Sequence, residues 1–173
     1  VALVFFTGLP ALAIDDRTWP SWQRSAWLLA GIALIACASS VFNAWLERDL
    51  DARMERTRDR PLPTGLVTPA EALMWGFTLC AGGLGVLAWQ GGVPGLLAGA
   101  STVAFYVFVY TMWLKPRTSL NIVIGGAAGA APPIIVDLAL HGRVGLMSMT
   151  LFSLVFLWTP PHFWAISLFR KSD

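Results

Sequence analysis

Residues 43–65, N-A-W-L-E-R-D-L-D-A-R-M-E-R-T-R-D-R-P-L-P-T-G, decide how this chain is read. The stretch follows directly on an apolar run and sets five acids (Glu47, Asp49, Asp51, Glu55, Asp59) among five arginines (Arg48, Arg53, Arg56, Arg58, Arg60). It therefore holds half of the chain's ten acidic residues. If the preceding helix continues through it, Asn43, Glu47 and Asp51 fall at i, i+4 and i+8, within roughly an 80° arc of one face. An amide oxygen and two carboxylates on one side are donors suited to a hard cation such as Mg²⁺. Arginines just beyond suit an anion such as a diphosphate. The plainer reading is a solvated charged loop with internal i,i+4 pairs and no ligand, and charge content alone does not choose between the two.

Outside this stretch the chain is strongly apolar. Residues 72–114, between Glu71 and Lys115, hold no charge over 43 positions, and residues 144–169 hold none over 26. Both runs exceed the ~20 residues that cross a hydrocarbon core. A soluble helical bundle needs charges on its outer faces, and these runs have none. With 56% hydrophobic residues and a mean hydropathy of +0.64, the sequence is that of a polytopic all-α membrane protein. A net charge of +2 argues against a nucleic-acid partner. Cys37 and Cys80 lie in apolar runs and read as small packing residues, with no CxxC or zinc spacing.

About six spans are expected. Residues 1–14 read as the tail of a cut first helix, and a polar connection with Trp19 and Trp22 follows. The second span covers about 26–46 and runs on into the acidic stretch, where Pro61 and Pro63 stop it. Thr68-Pro69-Ala70-Glu71 has the form of an N-cap with Pro in the first turn and an acid at N3. Gly91-Gly92-Val93-Pro94-Gly95 divides the long uncharged run into a third and a fourth span. The fifth, about 119–140, carries the small residues 125–129 and a kinking Pro132-Pro133. The sixth, about 144–169, carries Trp158-Thr159-Pro160-Pro161-His162. This arrangement puts nine basic residues (in 47–68, 115–118 and 170–173) on one side and three (Arg17, Arg24, Arg143) on the other. By the positive-inside rule the acidic stretch faces the cytoplasm of a cell (inner) membrane. The whole of 1–173 reads as one transmembrane domain cut at both ends.

Four segments carry a family resemblance. Asn43-x3-Glu47-x3-Asp51 with Met54-x-Arg56-Thr57-x2-Arg60-Pro61 resembles the first Asp-rich motif of the UbiA-type intramembrane prenyltransferases. Tyr110-Thr111-x-Trp113-Leu114-Lys115-x-Arg117-Thr118, residues 121–130 and residues 158–165 are similar to the branch of that family that farnesylates protohaem IX. The resemblance implies a bundle of about nine spans, a central cavity open to the cytoplasm, and Mg²⁺-dependent transfer of a farnesyl group from farnesyl diphosphate to a vinyl group of haem b. It implies that Asn43, Glu47 and Asp51 hold the metal and form the catalytic set. Arg56, Arg60, Lys115, Arg117 and Asn121 would then bind the diphosphate. At the middle metal position the family often has Asp, where this chain has Glu47. His162 has two readings, a hydrogen bond to a carbonyl freed by Pro160 or Pro161, or a contact with haem. The second Asp-rich motif of the family begins just after the sixth span, with Asp173 a candidate for its first acid. Contact with a haem A synthase or a terminal-oxidase assembly is a further implied partnership. Asp137 reads as a charge at the outer interface. Two alternatives stand beside this reading: a UbiA-type enzyme acting on a quinone precursor or a chlorin, and a transporter binding a cation at mid-membrane.

Overall fold

A computed structural model of the chain describes residues 6–13, 20–118 and 120–169, with side chains through 165. Arg17, Trp19, Ser119, Arg170, Lys171 and Asp173 lie outside the described residues. Helices account for the structure. They are α1 (Trp22–Asp51), α2 (Pro69–Ala104), a π-helical segment (Phe105–Leu114), α3 (Asn121–Ala130), α4 (Pro132–His141) and α5 (Leu146–Phe169), preceded by a 3₁₀ turn at Pro10–Ala13.

Three stretches are long and apolar enough to cross a membrane: Trp22–Asp51, Pro69–Leu114 and Asn121–His141. At 1.5 Å per residue, the 30 residues of α1 extend about 45 Å, against a hydrocarbon core of about 30 Å. Its last turns, with Glu47 and Asp51, therefore project past the apolar layer. The expected start of α2 is realised as a capping box. Thr68 Oγ1 accepts from the Glu71 amide (3.2 Å), and the Thr68 amide donates to Glu71 Oε2 (2.8 Å).

The second stretch makes two passes. Gly92 adopts φ 59°, ψ −155°, a conformation that glycine takes without a Cβ penalty. Beyond it the chain doubles back. A Cβ on Gly95 would lie 2.9 Å from the Leu87 carbonyl, eight residues earlier, where a straight helix would separate them by about 12 Å. The arms 69–91 and 93–114 thus match the division expected at the glycine cluster. The helix is also interrupted at the expected Pro132-Pro133, since α3 ends at Ala130 and α4 begins at Pro132.

Glycines set the helix spacing. A Cβ on Gly83 would sit 3.0 Å from the Gly31 carbonyl and 3.0 Å from the Ile35 amide nitrogen, so the backbones of α1 and α2 meet there. One on Gly91 would strike the Ala139 backbone of α4 at 2.7 Å. Leu28, Ile32, Leu87, Ile135 and Val136 fill the middle of the bundle and are fully buried. At the end opposite the acidic stretch, Arg24 Nη2 donates to the carbonyls of Gln90 (3.0 Å) and Ala139 (3.3 Å), tying three helices together. Large apolar side chains such as Trp75, Phe77, Trp89, Leu97, Phe108 and Leu157 point outward, as lipid-facing residues do.

The winding of Phe105–Leu114 was not legible beforehand. Its closing bond runs from the Lys115 amide to the Tyr110 carbonyl (3.0 Å), a five-residue step. π-helical turns of this kind recur at functional sites because the extra residue rotates everything after it. Here the rotation turns Thr111 and Lys115 towards α1.

Candidate active site

The projecting end of α1 and the end of the π-helical segment form a polar rim. Asn43 Nδ2 donates to Glu47 Oε2 (3.0 Å), as the i,i+4 spacing requires. Thr111 Oγ1 donates to Asn43 Oδ1 (3.2 Å) and to the Tyr106 carbonyl (2.9 Å). Lys115 Nζ stands 2.5 Å from Glu47 Oε1 and 5.9 Å above the Tyr110 ring. One helix pair thus presents an amide, a carboxylate, a hydroxyl and an ammonium side by side. The sequence reading named three of these; Thr111 entered only as part of a motif. Thr111, the one aliphatic hydroxyl in the otherwise apolar and aromatic run 104–114, was the available signal.

Asp51 is placed differently. It is only 4% exposed, and its Oδ2 accepts from Arg60 Nη1 (2.8 Å). The buried Thr57 holds the loop over the end of α1 by donating to the Asp51 carbonyl (3.0 Å). The reason lies in the arc itself: each four-residue step turns about 40° round the helix, so Asp51 stands at the far edge of the face. That edge borders a separate apolar cleft, lined in part by Ala44, Arg60, Pro61 and Trp75. The structure therefore joins Asn43 to Glu47 and sets Asp51 apart with Arg60.

The remaining residues divide in the same way. Arg56 is exposed on the loop, and Arg117 is exposed with Nη1 donating to the Trp113 carbonyl (3.1 Å). Asn121 turns its amide into its own connection, donating to the Thr118 carbonyl (2.8 Å). His162 makes no hydrogen bond among the described residues. Its ring instead stacks on Trp158 at 4.2 Å with 19° between planes. Trp158 and His162 wall a cavity of about 310 Å³ with Tyr106, Tyr110, Gly125 and Gly129. A Cβ at Gly125 would run into the Tyr110 ring and one at Gly126 would press on Thr159, so the small-residue run brings α3 against both of its neighbours.

Asp137 corrects the reading of an interfacial charge. It is 3% exposed and lies between α4 and α5. It takes a bond from the Gly145 amide (2.7 Å), one from the Ser148 hydroxyl, and one with His141 Nδ1 (2.7 Å). Three partners satisfy the carboxylate, which is how a charged group is held inside a bundle.

The donor chemistry at the rim fits a hard cation. Asn43 offers an amide oxygen and Glu47 two carboxylate oxygens, with Asp51 one turn further. Among the described residues no three His, Cys, Asp or Glu side chains converge on one point. A cation held here therefore draws its other ligands from substrate oxygens and water.

Fold and site together define a polytopic helical membrane protein with a charged rim set over apolar cavities. The family model for the UbiA prenyltransferase family matches residues 4–173. The chain belongs to that family. It is 53% identical over 144 residues to a protoheme IX farnesyltransferase of Acidiphilium cryptum, covering 82% of this chain and 45% of that one. It is 46% identical to one of Symbiobacterium thermophilum, covering 100% and 58%. The chain thus spans about half the length of the curated relatives it matches. A solved structure of a digeranylgeranylglyceryl phosphate synthase in membranes has the same fold, with a TM-score of 0.74 at 17% identity, over 89% of this chain and 53% of that one.

Proposed function

We propose that the complete protein containing this chain transfers a farnesyl group from farnesyl diphosphate to a vinyl group of protohaem IX, giving haem O. The observation that carries the reading is the Asn43–Glu47–Lys115–Thr111 cluster, with apolar cavities lined by Ser40 and Tyr110 within one turn of it. Relatives at 42–53% identity bearing the name protoheme IX farnesyltransferase support it.

Ionisation of an allylic diphosphate leaves negative charge on the departing group and positive charge on the prenyl carbon. Mg²⁺ held by Asn43 and Glu47, with Asp51 joining only on release from Arg60, would supply charge neutralisation on the diphosphate. Lys115 and Arg60 are the chain's own contribution to the same end. Each now rests on a carboxylate and is placed to exchange it for a phosphate oxygen, with the exposed Arg56 and Arg117 available to close from the loops. The aromatic and aliphatic walls below exclude water from the allylic cation. The His162–Trp158 stack presents a flat face suited to a macrocyclic acceptor.

Expression of the complete protein in cells that make no haem O, followed by mass analysis of extracted haem, tests this directly. A hydroxyethylfarnesyl product is expected. Unmodified haem b alone would refute the acceptor assignment.

The rim is assigned to the cytoplasmic side by the basic-residue asymmetry. In intact cells, an impermeant thiol reagent should label a Gly92→Cys variant and spare Lys115→Cys. The reverse pattern would invert the orientation.

A further inference from the structure

A cavity of about 190 Å³ lies between α1, the π-helical segment and the α3–α4 break. Ser40 and Tyr106 stand at its upper end, one turn from Asn43, and Thr111 links Asn43 to the Tyr106 backbone. The space therefore leads away from the polar rim. Ile32, Ile35 and Pro132 are at its lower end. Ile32 precedes Asn43 by eleven residues on one unbroken helix, roughly 16 Å along its axis. Among the described residues, Leu28, Leu87 and Val136, all at 0% exposure, close the space beneath it. Gly129 lies in the wall, shared with the cavity of His162, about 12 Å along α3 from Asn121. A Cβ built on Gly129 would meet nothing within 4 Å.

We infer that Ile32 and Gly129 set the length of the isoprenoid tail, Ile32 as a floor and Gly129 as a bare stretch of wall beside the tail's far end. This rests on the prenyl-transfer reading and adds to it the choice of donor. With carbon–carbon bonds of ~1.5 Å advancing about 1.3 Å each, the roughly twelve-carbon main chain of a farnesyl group spans about 15 Å. Anchored at the rim, it ends on Ile32. One more isoprene unit runs about 5 Å into the packed core; one fewer leaves the floor uncovered. A side chain at Gly129 occupies the room that the last unit needs.

The complete protein, purified in detergent with protohaem IX, is offered geranyl, farnesyl and geranylgeranyl diphosphates in equal amounts, and products are separated by mass. Competition among the same three diphosphates for binding is measured in parallel, so a slow variant still reports its preference. Ile32→Ala should raise the geranylgeranyl-to-farnesyl ratio at least tenfold. Gly129→Leu should lower the farnesyl-to-geranyl ratio at least tenfold, and it folds independently of any damage that Ile32→Ala does to the core. Ratios within twofold of the wild type in both variants would overturn the inference while leaving the prenyl-transfer reading intact. A wild type that binds and transfers none of the three removes that reading, and this inference with it.

Discussion

Glu47→Ala in the complete protein should cut prenyl-transfer turnover at least ~100-fold, the scale of losing one electrostatic stabiliser of developing charge. Among the described residues, Glu47 is the one acid that touches both its helix neighbour Asn43 and the lysine of a distant segment. Its removal takes away a metal-ligand candidate and leaves Lys115 without its partner. The fold should survive, because Glu47 lies beyond the apolar core in the projecting turns of α1. Thermal unfolding in detergent should therefore shift little, separating lost chemistry from lost structure. Glu47→Asp withdraws the carboxylate by one methylene and should fall between the two, while Glu47→Gln keeps the shape and should resemble Ala. A double-mutant cycle with Lys115→Ala sharpens the assignment. If Lys115 serves only to neutralise Glu47, the double variant is no worse than Glu47→Ala. If Lys115 also grips the diphosphate, the losses compound. Turnover of Glu47→Ala within a few-fold of the wild type would remove Glu47 from the site.

Asp137→Ala should do the opposite, lowering stability and sparing chemistry. The carboxylate accepts from Gly145, Ser148 and His141 at the junction of α4 and α5. Deleting it strands donors in a site with little water, at about 1–3 kcal/mol for each one left unsatisfied. Ser148 can still donate to the Gly145 carbonyl (2.9 Å), so about two donors are stranded and a loss of roughly 2–6 kcal/mol follows, enough to lower the midpoint of unfolding by several degrees. Asp137 lies sixteen residues beyond Asn121 along α3 and α4, roughly 24 Å of helical rise with one interruption at Ala131. Activity per folded molecule should accordingly stay within a few-fold of the wild type. Asp137→Asn retains one acceptor oxygen and should recover part of the stability. An unchanged unfolding midpoint in Asp137→Ala would show that water replaces the carboxylate at this junction.

Features whose cause is local were legible in the chain. Uncharged runs longer than a bilayer is thick leave no soluble alternative, so the membrane class follows from composition and length. The capping box at Thr68 depends on residues three apart, and the breaks at Gly92 and Pro132 on backbone restrictions of single residue types. The Asn43–Glu47 pair follows from the pitch of one helix. Tertiary structure alone decided which carboxylate met which cation. Asp51 shares the arc of Asn43 and Glu47, yet Arg60, nine residues on, draws it aside once Thr57 folds the loop back. Lys115 reaches Glu47 across 68 positions only because the π-helical winding of 105–114 turns it inward. An all-apolar run carries no periodic signal that distinguishes π from α winding, since every face is apolar. Asp137 shows the same limit: a lone acid near a helix end looks interfacial until its donors arrive from the next helix. Spacing along one helix is fixed by geometry that each residue carries with it, whereas pairing between helices depends on rotations that only the packed bundle sets.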